Sequence, residues 1–489
     1  MIAKILLLTA IAPTGFLGGA ALARHGSPVG VESGAAQGRH HQAPLTTPGP
    51  VLIRNATVLT VTKGTLPNTD LLLVDGKISR LGKNLTAPAG ATIIDATGKY
   101  VMPGIIDPHS HMMSDATNEG SLSVTSMVRI RDVLNPTDID IYRALAGGTT
   151  TLNILHGSAN TIGGQNSVVK LKWGRTAEEM IFPGAMPGIK FALGENVTQK
   201  NRGTVIVVGQ PQTPRRYPTT RMGQEEVLRD AFTRASDYKA EWDNYRARLA
   251  RKEANLVAPR RDLELEPLVE VLEGKRLVHA HSYRADEMLM LLELSDEFHF
   301  HVQTLQHGLE GYKIASEIAK HGTGLSTFAD MWGYKIEAYD AIPYNVAIAM
   351  RHGVLTTINS DDDGRARRLN IDAAKLMRYG GLTEDEALKT ITYNGAVQLG
   401  IQDRVGSIEV GKDADLAIWT GDPLSVYSTV ETTFIDGEIF FDKTRDKAMR
   451  EAMAQERAEL EKAEPNQLPA RGGGGRNTAP APAPSWEDQ

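Results

Sequence analysis

Eight short apolar runs recur between residues 104 and 360, each separated from the next by a polar, helix-prone stretch. They are GIID at 104–107, TTTLNIL at 149–155, SVVKL at 167–171, GIKFAL at 188–193, RLVHAH at 276–281, FHVQTL at 300–305, GTGLST at 322–327 and VLTTINS at 354–360. This recurrence constrains the fold more than any other feature of the chain. Strand and helix in eightfold alternation predict an α/β protein whose parallel strands close into a TIM-type (β/α)8 barrel. An open doubly wound sheet has the same alternation, but no glycine-rich phosphate fingerprint opens the body. A chain of 489 residues accommodates the barrel and a smaller companion domain.

The companion is written at both ends of the body. VLIRNATVLT, DLLLVDGKISRLG and ATIIDATGKYVMPG are short strands punctuated by Asp-Gly and Thr-Gly turns, and the same texture returns in GSIEVGKDADLAIWTG and TTFIDGEIFF. Residues 48–103 and 401–442 are therefore expected to form one small β-sandwich, with the barrel, residues 104–400, inserted between them. A long charged, helical insertion occupies about residues 210–265. It has two possible places, beside the barrel or across its mouth.

The N-terminus has a lysine before a long apolar run that ends in small residues, as a secretory signal peptide does. Residues 1–23 are read as that signal and 24–47 as a flexible leader. The mature protein is then exported, periplasmic or secreted, without stable membrane insertion after cleavage. Residues 443–489 read as a charged helix running into a disordered Gly/Pro/Ala-rich tail. The net charge of −6 comes without a basic stripe, so no nucleic-acid partner is expected. A homo-oligomer is compatible with the sequence. There are no cysteines, so any metal must be held by nitrogen and oxygen donors.

Those donors fall at one kind of position. His109 and His111 follow the first run in VMPGIIDPHSHM. His281 ends the fifth run, His307 the sixth and Asp361 the eighth. A pair of histidines one residue apart is common by chance, whereas four histidines and a carboxylate at strand ends are not. In a barrel these ends share one mouth, and the set suits one or two divalent ions, zinc first among them. The fourth run adds Lys190 and Glu195 in PGIKFALGEN. Around the mouth, His156 is a candidate to bind substrate or polarise a carbonyl, and Asn160 and Gln165 are neutral donors. Gly163 and Gly164 shape their loop. Arg284 would clamp a substrate carboxylate or pair with Glu287, and Tyr283 is a second substrate contact. Asp362 and Asp363 are expected in solvent or paired with Arg365 and Arg367. His279 faces the same side as His281, one layer deeper.

The ordered combination of PGIIDPHSH, the histidines of the fifth and sixth runs, the aspartate of the eighth and the closing GSIEVGKDADLAIW resembles the amidohydrolase superfamily over roughly residues 50–440. Imidazolonepropionase-like and metal-dependent dipeptidase (prolidase-like) members are the most similar. The resemblance implies a distorted (β/α)8 barrel flanked by a β-sandwich. It implies that His109 and His111 hold the more buried ion and that His281 and His307 hold a second ion, or that one of them serves the substrate in a mononuclear site. Asp361 would bind metal and act as general base. The bridging ligand of binuclear relatives would be a carboxylated Lys190, toward which the GIKFALG spacing leans, or Glu195. The implied activity is hydrolysis of a carbon–nitrogen bond in a small amide, dipeptide or cyclic amide by metal-activated water, with His307 and His156 as further catalytic candidates. The alternatives are a mononuclear, imidazolonepropionase-like ring-opening hydrolase and an exported metal-binding module without turnover.

Overall fold

A computed structural model describes residues 49–198 and 216–463. The expected signal peptide, the leader, the first part of the insertion and the Gly/Pro/Ala-rich tail lie outside the described residues. No helix among the described residues is long and apolar enough to cross a membrane.

The two flanking β segments meet in one eight-stranded sheet. Its strands are β1 (Val51–Leu59), β2 (Thr65–Val74), β3 (Lys77–Gly82), β4 (Thr92–Asp95) and β5 (Tyr100–Pro103) from the first segment. The body then contributes β6 (Ile105–Ser110), β7 (Thr149–Ile154), β8 (Ile162–Gln165), β9 (Ser167–Lys170), β10 (Gly188–Ala192), β11 (Leu277–Ser282), β12 (Val302–His307), β13 (Gly324–Thr327) and β14 (Thr356–Ile358). The second flanking segment returns as β15 (Leu416–Trp419), β16 (Val430–Ile435) and β17 (Glu438–Asp442). The flanking sheet runs β17-β16-β15-β5-β1-β2-β3, with β4 paired to β1. Two of its hairpins turn on Asp-Gly pairs, Asp75 with Gly76 and Asp436 with Gly437. All four residues have positive φ, between 49° and 76°, as a two-residue hairpin with right-handed strand twist requires. Alternation along β15 divides its side chains between two cores. Leu416 and Ile418 join Val51, Ile53 and Phe434 inside the flanking sheet, while Ala417 and Trp419 pack toward the body.

The body carries two sheets, β14-β13-β12-β11-β10-β8 and β6-β7-β9. Strands β10 to β14 are parallel to one another, and β6 is parallel to β7. All eight apolar runs form strands. The third, SVVKL, differs from the expected parallel arrangement. With β8 it forms a ribbon broken only at Asn166, antiparallel to β7 on one side and to β10 on the other. No helix separates it from β7: the chain turns back within residues 157–161 and re-enters directly. The ribbon links the two sheets, and Asn166 N–H donates to Gly188 O at 3.2 Å. At the other edge β14 meets β6, where Asp361 N–H donates to His109 O at 3.1 Å.

Helices follow the remaining strands. Ala285–Phe298 buries Met288, Leu291, Leu292 and Leu294 at helical spacing and stops at His299, whose φ of 60° is left-handed. In the insertion, Arg221–Ala250 buries Val227, Leu228, Ala231, Phe232, Ala235 and Tyr238 on one stripe. Phe232 stacks on Phe300 with ring centroids 4.2 Å apart and meets Phe191 edge-on. Burying one such ring stabilises by about 1.5–3 kcal/mol. The stripe seats this part of the insertion on the outer side of β10 and β12; past Tyr238 the side chains are largely exposed. The charged C-terminal segment is a helix, Lys443–Ala463.

Reversal of β9 sends Lys170 to the rim opposite the strand ends that carry the histidines. There its buried ammonium meets Asp413 at 2.7 Å, Asp415 at 3.0 Å and Asp436 at 2.5 Å, all from the flanking segment. A buried charge stripped of its partners is costly. Replacing Lys170 by methionine leaves three carboxylates facing one another and is expected to destabilise the fold by about 3–5 kcal/mol, read as a lowered midpoint in urea unfolding.

Candidate metal centre

The centre begins with Asp107, which is fully buried within β6. Its Oδ1 accepts from His109 N–H at 3.2 Å and from Ser360 N–H at 3.1 Å, and its Oδ2 accepts from the Ser360 hydroxyl at 2.5 Å. Burial pushes its pKa up to about 7 against these hydrogen bonds. Asp107 is therefore the residue that ties the first strand to the end of the last and aims His109.

Three histidines converge on Asp361. Its Oδ1 lies 3.3 Å from His109 Nε2 and 3.2 Å from His111 Nε2, and its Oδ2 lies 3.7 Å from His307 Nε2. The ring of His307 stands 4.6 Å from that of His109 and 4.7 Å from that of His281. Lys190 places Nζ 3.2 Å from His109 Nε2 and 3.2 Å from the carbonyl of His156. The outer nitrogens of the first pair are engaged behind the site. His111 Nδ1 faces Leu155 O at 2.9 Å, and because a carbonyl only accepts, Nδ1 carries the proton and Nε2 keeps its lone pair. His109 Nδ1 likewise faces Gln306 Oε1 at 3.1 Å. Partners of this kind orient metal-binding imidazoles.

His281 and His307 differ. Both ring nitrogens of each are buried and have no hydrogen-bond partner. Leaving polar atoms in that state costs about 1–3 kcal/mol each, so two imidazoles with free nitrogens, next to a carboxylate, two further histidines and an amine, fit a divalent ion's donor set, to which each ring would give one nitrogen. Electrostatics agrees. Burial, reinforced by neighbouring positive groups, holds His109 and His281 well below the usual imidazole range and His307 at about 3, so all three are neutral and able to ligate. Burial raises the Asp361 carboxyl, but His307, His111 and Lys190 outweigh it and hold it at about 2. Burial brings the Lys190 amine down to about 7. His307 and Asp361 both sit at positive φ, 69° and 46°, a conformation that costs energy and concentrates at working sites.

Other predicted residues lie elsewhere or are otherwise engaged. His156 has neither nitrogen free: Nδ1 bonds Gly157 O and Nε2 accepts from Glu119 N–H, both at 2.8 Å. Its ring lies against Gly163 and Gly164, where any Cβ would come within 3 Å of it. Both of its ring nitrogens are thus spent on this loop. Gln165 donates to Ser126 O, and Asn160 donates to Glu119 O, Leu122 O and Thr125; these amides pin the same loop. Arg284 pairs with Asp286 through two hydrogen bonds, so it neither reaches the centre nor pairs with Glu287, which Arg221 takes instead. Asp362 caps the helix Asp363–Ala366 by accepting from Arg365 N–H, while the Arg365 guanidinium goes to Asp330 and Asp372. Glu195 is buried 3.5 Å from Lys335, and its backbone N–H donates to Glu337. Tyr283 does stand at the centre, edge-on to His281 at 4.6 Å and stacked on His307 at 5.5 Å. His279 lies one layer down, 3.5 Å from Gln306. Sequence reasoning missed Gln306 and Lys335. Gln306 adjoins His307, a candidate ligand, which is a usable signal; Lys335 sits in a loop with no pattern to mark it.

The amidohydrolase family model matches residues 100–440. The chain belongs to the amidohydrolase family. A crystal structure of an amidohydrolase from Thermotoga maritima MSB8 is similar at a TM-score of 0.71 and 35% identity, over 80% of this chain and 100% of that one. The amidohydrolase tasK of Hapsidospora irregularis is 32% identical over 405 residues, which is 76% of this chain and 40% of that protein's length. A prolidase solved with N-methylphosphonate-L-proline shares the fold at a TM-score of 0.50 and 16% identity, over 81% of this chain and 100% of that one. Within this amidohydrolase, two substitutions separate the centre from its surroundings. His281→Ala is expected to lower bound divalent metal, measured by elemental analysis. His156→Ala is expected to leave metal content unchanged while lowering stability by about 1–3 kcal/mol, because Glu119 N–H loses its acceptor.

Proposed function

We propose that this chain is a metal-dependent hydrolase of carbon–nitrogen bonds in small amides, dipeptides or cyclic amides, with zinc as its metal. One observation carries the reading: the unpartnered, buried nitrogens of His281 and His307 stand beside Asp361, His109 and Lys190. The architecture proposed with it is a distorted (β/α)8 barrel. The ribbon through Asn166 and the hydrogen bond from Asp361 to His109 support closure, and the reversed third strand is the distortion. The flanking sheet, residues 48–103 and 401–442, is proposed to fold over as a β-sandwich, which the apolar cluster on its inner side supports. Export of the mature protein rests on the apolar N-terminus.

In this reading His109 and His111 would hold one ion, His281 and His307 would hold a second, and Lys190, carboxylated on Nζ, would be a ligand to both. A divalent ion supplies a Lewis acid for the carbonyl and lowers the pKa of a coordinated water. The protein supplies the rest. Asp361, held at about 2, is ionised at neutral pH; it accepts the proton of the attacking water and delivers it to the leaving nitrogen. With its amine brought down to about 7, Lys190 has a large neutral fraction, the form that adds to carbon dioxide to give a carbamate. Tyr283 and Phe328 pack on the His307 ring and keep water from that side.

A mononuclear hydrolase is the second reading, favoured by the His109–His111–Asp361 group, whose donor atoms lie within 4.8 Å of one another and can enclose a single ion. A module without turnover fits less well, because a structural site is closed by four ligands whereas the Asp361 side chain keeps 22% of its surface open.

Elemental analysis of metal-loaded protein separates the first two: two equivalents per chain falling to one in Lys190→Ala are expected, and one equivalent in the unmodified protein supports the mononuclear form. Against a panel of dipeptides, N-acyl amino acids and cyclic amides, Asp361→Asn is expected to lower kcat by about 10²–10⁴-fold, with metal content measured alongside.

A further inference from the structure

We infer that Lys335 is the residue that selects substrates by an anionic end, taking the carboxylate of a dipeptide or N-acyl amino acid beside the scissile bond. The inference rests on the proposed hydrolase reading. Lys335 belongs to residues 328–344, the segment that leaves β13 and passes over the strand ends carrying the centre. Side chains fasten this segment on several sides: Tyr334 donates to the Tyr283 hydroxyl at 2.7 Å, Glu337 pairs with Arg221 at 2.9 Å, and Asp330 pairs with Arg365 at 2.5 Å. Between these ties the Lys335 side chain is carried inward and is only 6% exposed, whereas its neighbour Ile336 is 90% exposed.

The ammonium lies 4.3 Å from the centre of the Tyr283 ring. That same ring touches His281 and His307, so one aromatic ring separates Lys335 from two ligand histidines. The donor capacity of Lys335 is only partly used. An ammonium has three donors; one close bond goes to the neutral Asn196 Oδ1 at 2.9 Å. The nearest carboxylate oxygens, on Glu195 at 3.5 Å and Glu337 at 3.9 Å, stand beyond the roughly 2.7–2.9 Å of a charge-assisted hydrogen bond. Arg284, the cation that the sequence offered for this task, is committed to Asp286.

The test compares an N-acyl amino acid with its primary amide, N-acetyl-leucine against N-acetyl-leucinamide, in metal-loaded protein, by calorimetric binding and by KM and kcat. The unmodified protein is expected to favour the acid at least about tenfold. Lys335→Met should abolish that preference by weakening the acid alone, with metal content and binding of the amide unchanged, and Lys335→Arg should restore part of it. Equal loss for acid and amide, or no preference in the unmodified protein, overturns the inference and leaves Lys335 as a structural counter-charge to Glu195 and Glu337. Binding that keeps the acid preference without any cleavage upholds Lys335 and counts against the hydrolase reading instead.

Discussion

The centre depends on a clasp between the first and last strands of the body. Asp107 accepts three hydrogen bonds, two of them from Ser360, a residue 253 positions later in the chain. Asp361 N–H closes the same junction on His109 O. A buried carboxylate is tolerated only when its oxygens are satisfied, and here satisfying them ties the segment just after β14 to β6. That tie brings Asp361 to His109 and His111. The junction between the two strands therefore also assembles the group of Asp361 and the two histidines.

The opposite rim is held by a different kind of interaction. Because the third strand runs backwards, Lys170 points away from the histidines and into three aspartates of the flanking segment. The body has histidine and carboxylate donors at one end and an ammonium in a nest of carboxylates at the other. The second arrangement joins the two β layers, and it explains why the closing GKDADLAIW segment carries aspartates at buried positions: Asp413 and Asp415 are counter-charges to Lys170.

Burial gives the centre its chemical character. Imidazoles removed from water lose their affinity for protons and remain neutral, while the carboxylate among them stays ionised because proton-donating neighbours, His307, His111 and Lys190, favour its anionic form over the effect of burial. The positive φ of His307 and Asp361 marks sharp turns of the chain at the end of β12 and just after β14, where both side chains come together.

Much of this was legible in one dimension. The eight apolar runs, the Asp-Gly hairpins and the strand-end placement of His109, His111, His281, His307 and Asp361 follow from local patterns of hydrophobicity and turn chemistry, which depend on neighbours in sequence. Lys190 was visible as a strand residue, though not its approach to His109. The direction of β9 was not legible, because an apolar strand has the same composition whichever way it runs; only its pairing with β7 and β10 decided it. Nor were the commitments of His156 and Arg284, since a histidine or arginine near a site looks functional until its partners are known, and theirs are a backbone N–H and carbonyl for one and Asp286 for the other. The sequence by itself determined which side chains stand at strand ends. Tertiary structure alone decided which of them keep unshared nitrogens, which are spent on the protein's own backbone, and that Lys335 arrives beside Tyr283, because those outcomes are set by contacts between segments far apart in the chain.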